Sequence, residues 1–166
     1  MGIFTAAVAL FGNGSADEPQ KKLPGTRSDD ETVAKDTILV IDDDPTFLES
    51  IRLLLREAGY NVLTSITGPK GLDMLRYAPK DVSLVLLDYN MPRFNGAETL
   101  EFLRKLNPTL KVVAVSGFRV TELPEDFHRG VKRFVSKPFN NDELLKTVEE
   151  VLEDNSTSDA LVSASR

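Results

Sequence analysis

The chain has 166 residues, and its 20 basic and 26 acidic side chains give a formal net charge of -6. This length suits one domain with tails, and the acidic balance argues against a nucleic-acid-binding surface, which needs clustered Lys and Arg. Because the sequence contains no cysteine, disulfides, thiol nucleophiles and zinc–thiolate sites are excluded. No apolar run approaches the ~20 residues that a membrane-spanning helix needs.

The two ends of the chain differ in composition from its middle. Residues 1–36 combine a short apolar stretch, GIFTAAVALFG, with a segment rich in Gly, Pro, Ser and charge, which predicts a flexible leader. The apolar stretch lacks the basic region of a secretory signal, so a loose tail is favoured over a segment that docks on a membrane or partner. Residues 154–166 predict a second flexible tail, which leaves 37–153 as the folded domain with no output domain after it.

Apolar, strand-like runs alternate with helical spacing across residues 37–153. The runs lie at 37–42, 61–66, 82–88, 111–116 and 131–136. Helical spacing fills most gaps; Gly59 ends the first helix, and Asn140 or Asn141 caps the last. Pro124 predicts that the fourth helix is short, late or irregular. Five strand–helix repeats predict an α/β fold with a parallel sheet covered by helices on both faces.

Polar side chains gather at the predicted carboxyl ends of the strands, the edge where open parallel sheets bind ligands. They are Asp42, Asp43 and Asp44 in strand 1, Asp88 in strand 3, Ser116 in strand 4, and Ser136 and Lys137 in strand 5. Converging carboxylates cannot all stay ionised without a cation, and oxygen ligands select Mg²⁺ or Mn²⁺. Carboxylates, a metal, an ammonium and a hydroxyl together can stabilise a transferring phosphoryl group, which a carboxylate can itself accept.

One family that fits this chemistry is the haloacid-dehalogenase phosphatases. The stretch ILVIDDDPT resembles their first motif, with Asp42 as the nucleophile and Asp44 as the acid/base. Ser116 and Lys137 would supply the next two motifs. The fourth motif, an acidic pair that ends a later strand, is missing, because KPFNNDELL leads straight into the last helix. This resemblance also leaves Asp88 unexplained.

The chain more closely resembles the response regulator receiver domain of two-component signal transduction, over residues 37 to about 153. The matching elements, in order, are the acidic pair Asp42 and Asp43, the pattern DYNMPRFNG that begins with the phosphoacceptor Asp88, then Ser116, then Lys137 and Pro138. Each element occurs at the expected strand end. The resemblance implies a flavodoxin-like, doubly wound five-stranded parallel sheet in the order 2-1-3-4-5, with helices on both faces.

The same resemblance implies that the cofactor is Mg²⁺, with Mn²⁺ as a substitute. Asp43 and Asp88 would bind the metal through their carboxylates, and the main-chain carbonyl of Asn90 would be the third protein ligand. Asp42 would act through a metal-bound water and by positioning. Asp44 is instead predicted to be the N-cap of the first helix.

The resemblance also implies a phosphorylation-driven switch. Lys137 would pair with Asp88 before phosphorylation and with the phosphoryl oxygens afterwards. The Ser116 hydroxyl would swing to hydrogen-bond the phosphoryl group while the aromatic ring of Phe134 reorients inward. The peptide bond between Lys137 and Pro138 is expected to be cis.

Roles are also predicted for three residues that are not among the motif positions given above for the switch. Asn90 and Phe118 flank the path of the attacking water in this family. Phe118 offers no hydrogen bond to orient a water and could cover the acyl phosphate, so we predict slow self-dephosphorylation. His128, the only histidine, is predicted to be a solvated surface residue.

Together these roles describe a single-domain response regulator that is a phosphoacceptor switch and not an enzyme. It would take a phosphoryl group on Asp88 from a sensor histidine kinase or a histidine phosphotransfer protein. It would then signal to a downstream protein target through its helix 4, strand 5 and helix 5 surface. We expect a cytoplasmic monomer or phosphorylation-dependent dimer, with no nucleic-acid partner. The phosphatase and an unphosphorylated protein-binding module of the same fold are the alternatives.

Overall fold

The computed structural model describes residues 35–77 and 81–154. The predicted leader, 1–36, and the predicted tail, 154–166, lie almost entirely outside the described residues and stay predictions. Within the described ranges, no helix is both long and apolar enough to cross a membrane.

Five parallel strands form one sheet in the order β2-β1-β3-β4-β5. The strands are β1 (Lys35–Ile41), β2 (Tyr60–Ser65), β3 (Val82–Asp88), β4 (Lys111–Ser116) and β5 (Arg133–Ser136). The predicted α/β class and strand order are confirmed. β5 begins two residues later than predicted, because Val131 is the C-cap of the preceding helix.

In the part of the chain that the structure describes, five α-helices connect and follow the strands. They are α1 (Pro45–Glu57), α2 (Gly68–Tyr77), α3 (Gly96–Leu106), α4 (Glu125–Gly130) and α5 (Asn141–Glu153), with a short 3-10 helix over Val120–Glu122. The fourth helix has only six residues and begins directly after Pro124. The prediction of a late and short helix is confirmed. Proline lacks a backbone N–H and is disfavoured inside a helix, so the helix begins only after Pro124.

The helix ends follow the local chemistry of their first residues. Asp44 caps α1 by accepting hydrogen bonds from the backbone N–H groups of Thr46 and Phe47, at 2.8 and 3.3 Å, so the prediction of a capping role is confirmed. Asn140 caps α5 in the same way. Gly59, with φ of 90°, follows α1 in the left-handed region that favours glycine.

Two apolar clusters, one on each face of the sheet, form the core. Alternate residues of β1 belong to different clusters: Leu39 and Ile41 pack on the α2–α3–α4 face, and Ile38 and Val40 pack on the α1–α5 face. All four are essentially inaccessible to solvent. Burying each of these side chains contributes roughly 1.5–3 kcal/mol. A parallel sheet buried on both faces explains why the strands read as continuous apolar runs.

A glycine lets the chain pass close to the end of β3. A Cβ atom on Gly96 would lie 2.5 Å from the carbonyl oxygen of Asp88 and 2.6 Å from the Cα atom of Tyr89. The Gly96 N–H donates a hydrogen bond of 2.9 Å to the Tyr89 carbonyl. The loop after β3 is therefore tied directly against the residue that ends the strand, which restrains the position of Asp88.

Candidate functional site

The carboxyl ends of β1, β3 and β5 bring three charged side chains together. Asp42 follows β1, Asp88 ends β3, and Lys137 follows β5. The Lys137 Nζ atom lies 2.5 Å from Asp42 Oδ2 and 3.1 Å from Asp88 Oδ1. One ammonium is therefore shared by two carboxylates that are far apart in the sequence but converge at one edge of the sheet.

Both carboxylates are buried. Asp42 is 2% exposed and Asp88 is 5% exposed, while the Lys137 side chain is 26% exposed. Asp42 Oδ1 also accepts a hydrogen bond of 2.9 Å from the N–H of Asp44, and Asp88 accepts one from the N–H of Asn90. No buried side-chain nitrogen or oxygen within the described ranges lacks a hydrogen-bond partner. This matters because an unpartnered buried charge is costly.

The cluster perturbs the acidity of its members. Burial raises the pKa of the Asp88 carboxyl, and the charge of Asp42 adds to this, while the Lys137 ammonium acts in the opposite direction. For Lys137, burial lowers the pKa, but hydrogen bonds and charges from both carboxylates outweigh it and raise the pKa overall. The ammonium therefore stays protonated at neutral pH, and Asp88 is the carboxyl whose ionised form is disfavoured by its surroundings.

Ser116 and the residues after β5 are linked through the backbone. The Lys137 N–H donates a hydrogen bond of 2.8 Å to the Ser116 carbonyl. The Ser116 hydroxyl oxygen, buried with its residue, accepts one of 3.2 Å from the N–H of Phe118. The peptide bond between Lys137 and Pro138 is cis. The end of β4 is thus attached to the segment that carries the lysine.

The predicted metal ligands are only partly gathered. Asp42 and Asp88 converge on the lysine, whereas the Asp43 side chain is exposed. At Asn90, which is also exposed, the predicted ligand is the main-chain carbonyl. Within the two described ranges, no three His, Asp or Glu side chains are grouped so that they could hold a metal ion. The available donors are nevertheless all oxygens with a surplus of negative charge, which is the chemistry that Mg²⁺ prefers. The metal roles of these four residues stay predictions.

Phe118, Tyr89 and Phe127 form a chain of edge-to-face aromatic contacts from the site towards α4. The ring centroids are 6.0 Å apart for Tyr89 and Phe118, and 4.9 Å apart for Tyr89 and Phe127. Phe127 in turn contacts the half-buried ring of Phe134 at 6.1 Å. The residue that follows Asp88 is therefore in contact with α4.

The prediction that His128 is a solvated surface residue is wrong. The side chain is half-buried, its ring lies 4.9 Å from that of Phe134, and its Nε2 atom is 3.2 Å from the Leu123 carbonyl oxygen. The polar residues around it in EDFHRG suggested exposure, but the ring packs against Phe134 of β5 and lies within hydrogen-bond distance of the Leu123 carbonyl.

Phe47 is a site residue that reasoning from the sequence missed. Its ring centroid lies 4.0 Å from Lys137 Nζ. The sequence pattern placed Phe47 in the apolar stripe of the first helix and gave it no other role. Its position in the first turn could have indicated a contact with the site, because helical side chains point towards the helix N-terminus.

These residues form one arrangement with definite chemical abilities. A buried carboxylate that ends a central strand can act as a nucleophile. An ammonium beside it, and a hydroxyl at the neighbouring strand end, can stabilise negative charge on a transferring group. The site is open to solvent on the lysine side, since part of the Lys137 side chain is exposed.

Comparisons with known proteins assign the chain and its fold to a family. Residues 38–149 match the family model described as the response regulator receiver domain. The cell cycle transcriptional regulator CtrA of Caulobacter vibrioides is 32% identical over 117 residues, which cover 69% of this chain and 49% of that protein. CtrA of Brucella abortus is 29% identical over 116 residues. The chain spans about half the length of these curated relatives.

Solved structures agree with this assignment. A CheY-like receiver domain protein from Methanospirillum hungatei is 30% identical, with a TM-score of 0.64, over 70% of this chain and 93% of that one. The response regulator TrrA from Thermotoga maritima, solved in complex with Mg²⁺ and BeF, is 28% identical, with a TM-score of 0.63, over 70% and 99%. The chain belongs to the response regulator receiver family of two-component signal transduction.

Family membership indicates the general function and favours it over one alternative. Receiver domains are phosphorylated on an aspartate, typically with Mg²⁺, and they act as phosphoacceptor switches and not as classical enzymes. The match supports the receiver domain over the haloacid-dehalogenase phosphatases, whose fourth motif the sequence lacks.

Proposed function

We propose that Asp88 accepts a phosphoryl group from a phosphohistidine on a sensor histidine kinase or a histidine phosphotransfer protein. The observation that carries this proposal is the Lys137 ammonium shared by two buried carboxylates, at 3.1 Å from Asp88 and 2.5 Å from Asp42. Of the two, Asp88 ends the central strand β3 in the pattern that receiver domains use for their phosphoacceptor.

In the proposed reaction, an Asp88 carboxylate oxygen forms a bond to phosphorus while the bond from phosphorus to the donor imidazole nitrogen breaks. The Lys137 ammonium then balances charge on the phosphoryl oxygens, and the Ser116 hydroxyl donates a hydrogen bond to one of them. Asp42 keeps the lysine at the site through its short ion pair. Positive charge placed in advance where negative charge develops is the main way such a site lowers the barrier.

Mg²⁺ is the proposed cofactor. Asp42, Asp43 and Asp88 would hold it with the main-chain carbonyl of Asn90, and the ion would supply further positive charge to the phosphoryl oxygens when bound. Support comes from the donor chemistry, since the buried pair carries two negative charges against one ammonium. A divalent cation relieves that surplus, and oxygen ligands favour a hard ion.

The proposed output is a changed surface on the side of α4, β5 and α5. Ser116 and Phe134 are the proposed switch residues. Phe134 is half-buried against Phe127 and His128 of α4, so a movement of its ring requires α4 to adjust. A downstream protein, or a second copy of the chain, would bind the adjusted surface. A cytoplasmic location and the absence of a nucleic-acid partner stay predictions.

Phe118 is proposed to slow the loss of the phosphoryl group. Its side chain is 42% exposed and its ring stands edge-on to Tyr89, the residue after Asp88. The Phe118 side chain is therefore proposed to lie near the acceptor. Unlike Asn90, it carries no polar atom that could orient a water. Phe118→Glu and Phe118→Ala should both lose label faster than the wild-type protein when label is timed after donor removal. Equal rates would dismiss this role.

The phosphoacceptor assignment is tested by mapping the modified residue. The protein is incubated with phosphoramidate and Mg²⁺, the acyl phosphate is reduced with borohydride, and the labelled residue is located by mass spectrometry. We expect label on Asp88, none in Asp88→Asn, and normal label in Asp73→Asn, which changes an exposed aspartate on α2. Label on Asp42 would support the phosphatase-like chemistry, and no label at all would support the unphosphorylated binding module.

A further inference from the structure

The lysine of the site is enclosed by an aromatic ring as well as by carboxylates. Lys137 Nζ lies 4.0 Å from the centroid of the Phe47 ring, which is well within the range of a cation–π contact. Its remaining close partners are Asp42 and Asp88. The three partners come from β1, α1 and β3, so each limits the movement of the ammonium from a different element.

The ring of Phe47 is itself held in place. The backbone N–H of Phe47 donates to the Asp44 side chain at the start of α1, at 3.3 Å. On the other side, the ring of Phe139 meets it edge-on, with centroids 6.0 Å apart and planes at 82°. A half-buried phenylalanine that is fixed at both its backbone and its ring gives a flexible side chain a fixed surface to pack against.

A fixed surface of this kind restricts the conformations of a lysine side chain, which is long and mobile. Its ammonium is a point charge on a flexible four-carbon stem, and holding it in one place costs rotamer entropy. The Lys137 side chain is 26% exposed, so solvent is an alternative environment for the ammonium. The ring face of Phe47 favours the cation where it stands, in a partly desolvated position where such contacts are strongest.

We propose that Phe47 is a positioning residue that keeps the Lys137 ammonium at the phosphoacceptor through a cation–π contact. The inference rests on the proposed function of Asp88 and adds a residue to it. When Asp88 carries the phosphoryl group, the negative charge that Lys137 follows moves from the carboxylate to the phosphoryl oxygens. The ring face stays where it is, so the ammonium can change partners without leaving for solvent.

The test replaces the ring while keeping apolar volume. Phe47→Leu should accept the phosphoryl group from phosphoramidate about fivefold to tenfold more slowly than the wild-type protein, whereas Phe47→Tyr and Phe47→Trp should stay close to it, because only the latter two keep a π face. Phe102→Leu is the matched control: Phe102 has Lys105 Nζ 5.0 Å from its exposed ring, and both residues lie on α3 and not at the strand ends that form the site. Its rate should not change.

A second measurement reports the contact without any reaction. In the metal-free, unphosphorylated protein, the NMR signals of the Lys137 ε-methylene protons should be shifted by the Phe47 ring current. That shift should disappear in Phe47→Leu. Thermal unfolding of every variant, with Phe47→Met as a second ring-free replacement, separates loss of the contact from loss of the fold.

Each outcome decides the proposal. A slow Phe47→Leu with normal Tyr and Trp variants supports it. Equal rates for Leu and wild type, equally slow Leu and Tyr variants, or a wild-type protein without the ring-current shift would overturn it. If the wild-type protein accepts no phosphoryl group, the proposed function of Asp88 fails, and the NMR shift alone decides whether Phe47 positions Lys137.

Discussion

Helices α1 and α4 both border the candidate site, but they are held very differently. Helix α1 has 13 residues, a side-chain N-cap and three buried apolar residues, and α4 has six residues and one buried residue, Phe127. No described side chain caps the start of α4. Its end is held mainly by Arg104 of α3, whose guanidinium donates to the Gly130 carbonyl. The site therefore has a firmly held side and a weakly held side.

The functional residues are also divided between the firmly held α1 side and the weakly held α4 side. The acidic residue Asp42 lies between β1 and α1, where strong packing fixes the geometry that two buried carboxylates need. The proposed switch residues, Ser116 and Phe134, lie on the strands that flank α4. Elements with few buried contacts have alternative arrangements of similar free energy, so a charge placed on Asp88 can shift α4 more easily than α1.

The largest expected effects come from a matched pair of core truncations. Leu55 of α1 is fully buried, and Leu55→Ala should lower the free energy of unfolding by about 4 kcal/mol. Leu123, 7% exposed, precedes the short α4. We expect this weakly held region to collapse more readily around a truncated side chain, so Leu123→Ala should lower the free energy of unfolding by about 2 kcal/mol. Urea unfolding monitored by circular dichroism measures both. Equal losses would break the contrast between the two sides.

The N-cap of α1 offers a smaller effect. Asp44→Ala removes the acceptor for the Thr46 and Phe47 N–H groups, and should lower the free energy of unfolding by about 1 kcal/mol. Asp73→Ala, which removes only an exposed ion pair on α2, is the control and should stay within about 0.5 kcal/mol of wild type. An Asp44 variant as stable as the control would show that the cap does not hold α1.

The buried acceptor should affect stability in a pH-dependent way. Burial raises the pKa of Asp88 in the folded protein, so its proton is bound more tightly in the folded than in the unfolded chain, and stability falls as pH rises between those two pKa values. Asp88→Asn should therefore be more stable than wild type at pH 7 without metal, and the difference should shrink as the solution is acidified and wild-type Asp88 protonates. Urea unfolding in EDTA at several pH values measures this. A difference that grows on acidification would contradict the sign.

The smallest global effect is expected from giving α4 a cap. Pro124→Asp supplies a side-chain acceptor at the N-cap position of α4, while the loss of proline makes the unfolded chain more flexible, so the free energy of unfolding should change by only about 0.5 kcal/mol. Locally, the backbone amides of α4 should exchange with solvent more slowly. If wild-type α4 already exchanges as slowly as α1, the weakly held side does not exist.

Much of the fold and the site could be predicted because a parallel sheet brings the carboxyl ends of its strands to one edge. That rule joins Asp42, Asp88 and Lys137 from three separate motifs, and the short α4 followed from Pro124 alone. The sequence could not show that Lys137 pairs with Asp42 as well as with Asp88. Whether Asp42 or Asp43 meets the lysine depends on which of the two side chains turns inward after β1. Asp42 is buried and Asp43 exposed, although the two are chemically identical.

Contacts between side chains of different elements were the part that the sequence pattern left open. The contact of the His128 ring with the Phe134 ring depends on the way a six-residue helix meets β5. The contact of Phe47 with Lys137 depends on the distance between α1 and the end of β5. Neither distance has a counterpart in residue spacing, because both elements are positioned by packing on the sheet.

Amide hydrogen exchange with a phosphoryl mimic tests most directly whether occupation of Asp88 is transmitted to the weakly held side. Beryllofluoride with Mg²⁺, the combination bound in the solved TrrA structure, is added to the wild-type protein and to Asp88→Asn. We predict changed exchange over residues 117–139 in the wild-type protein, little change in α1 and β2, and none in the variant. Unchanged exchange throughout, or a change confined to α1, would contradict a switch centred on Asp88.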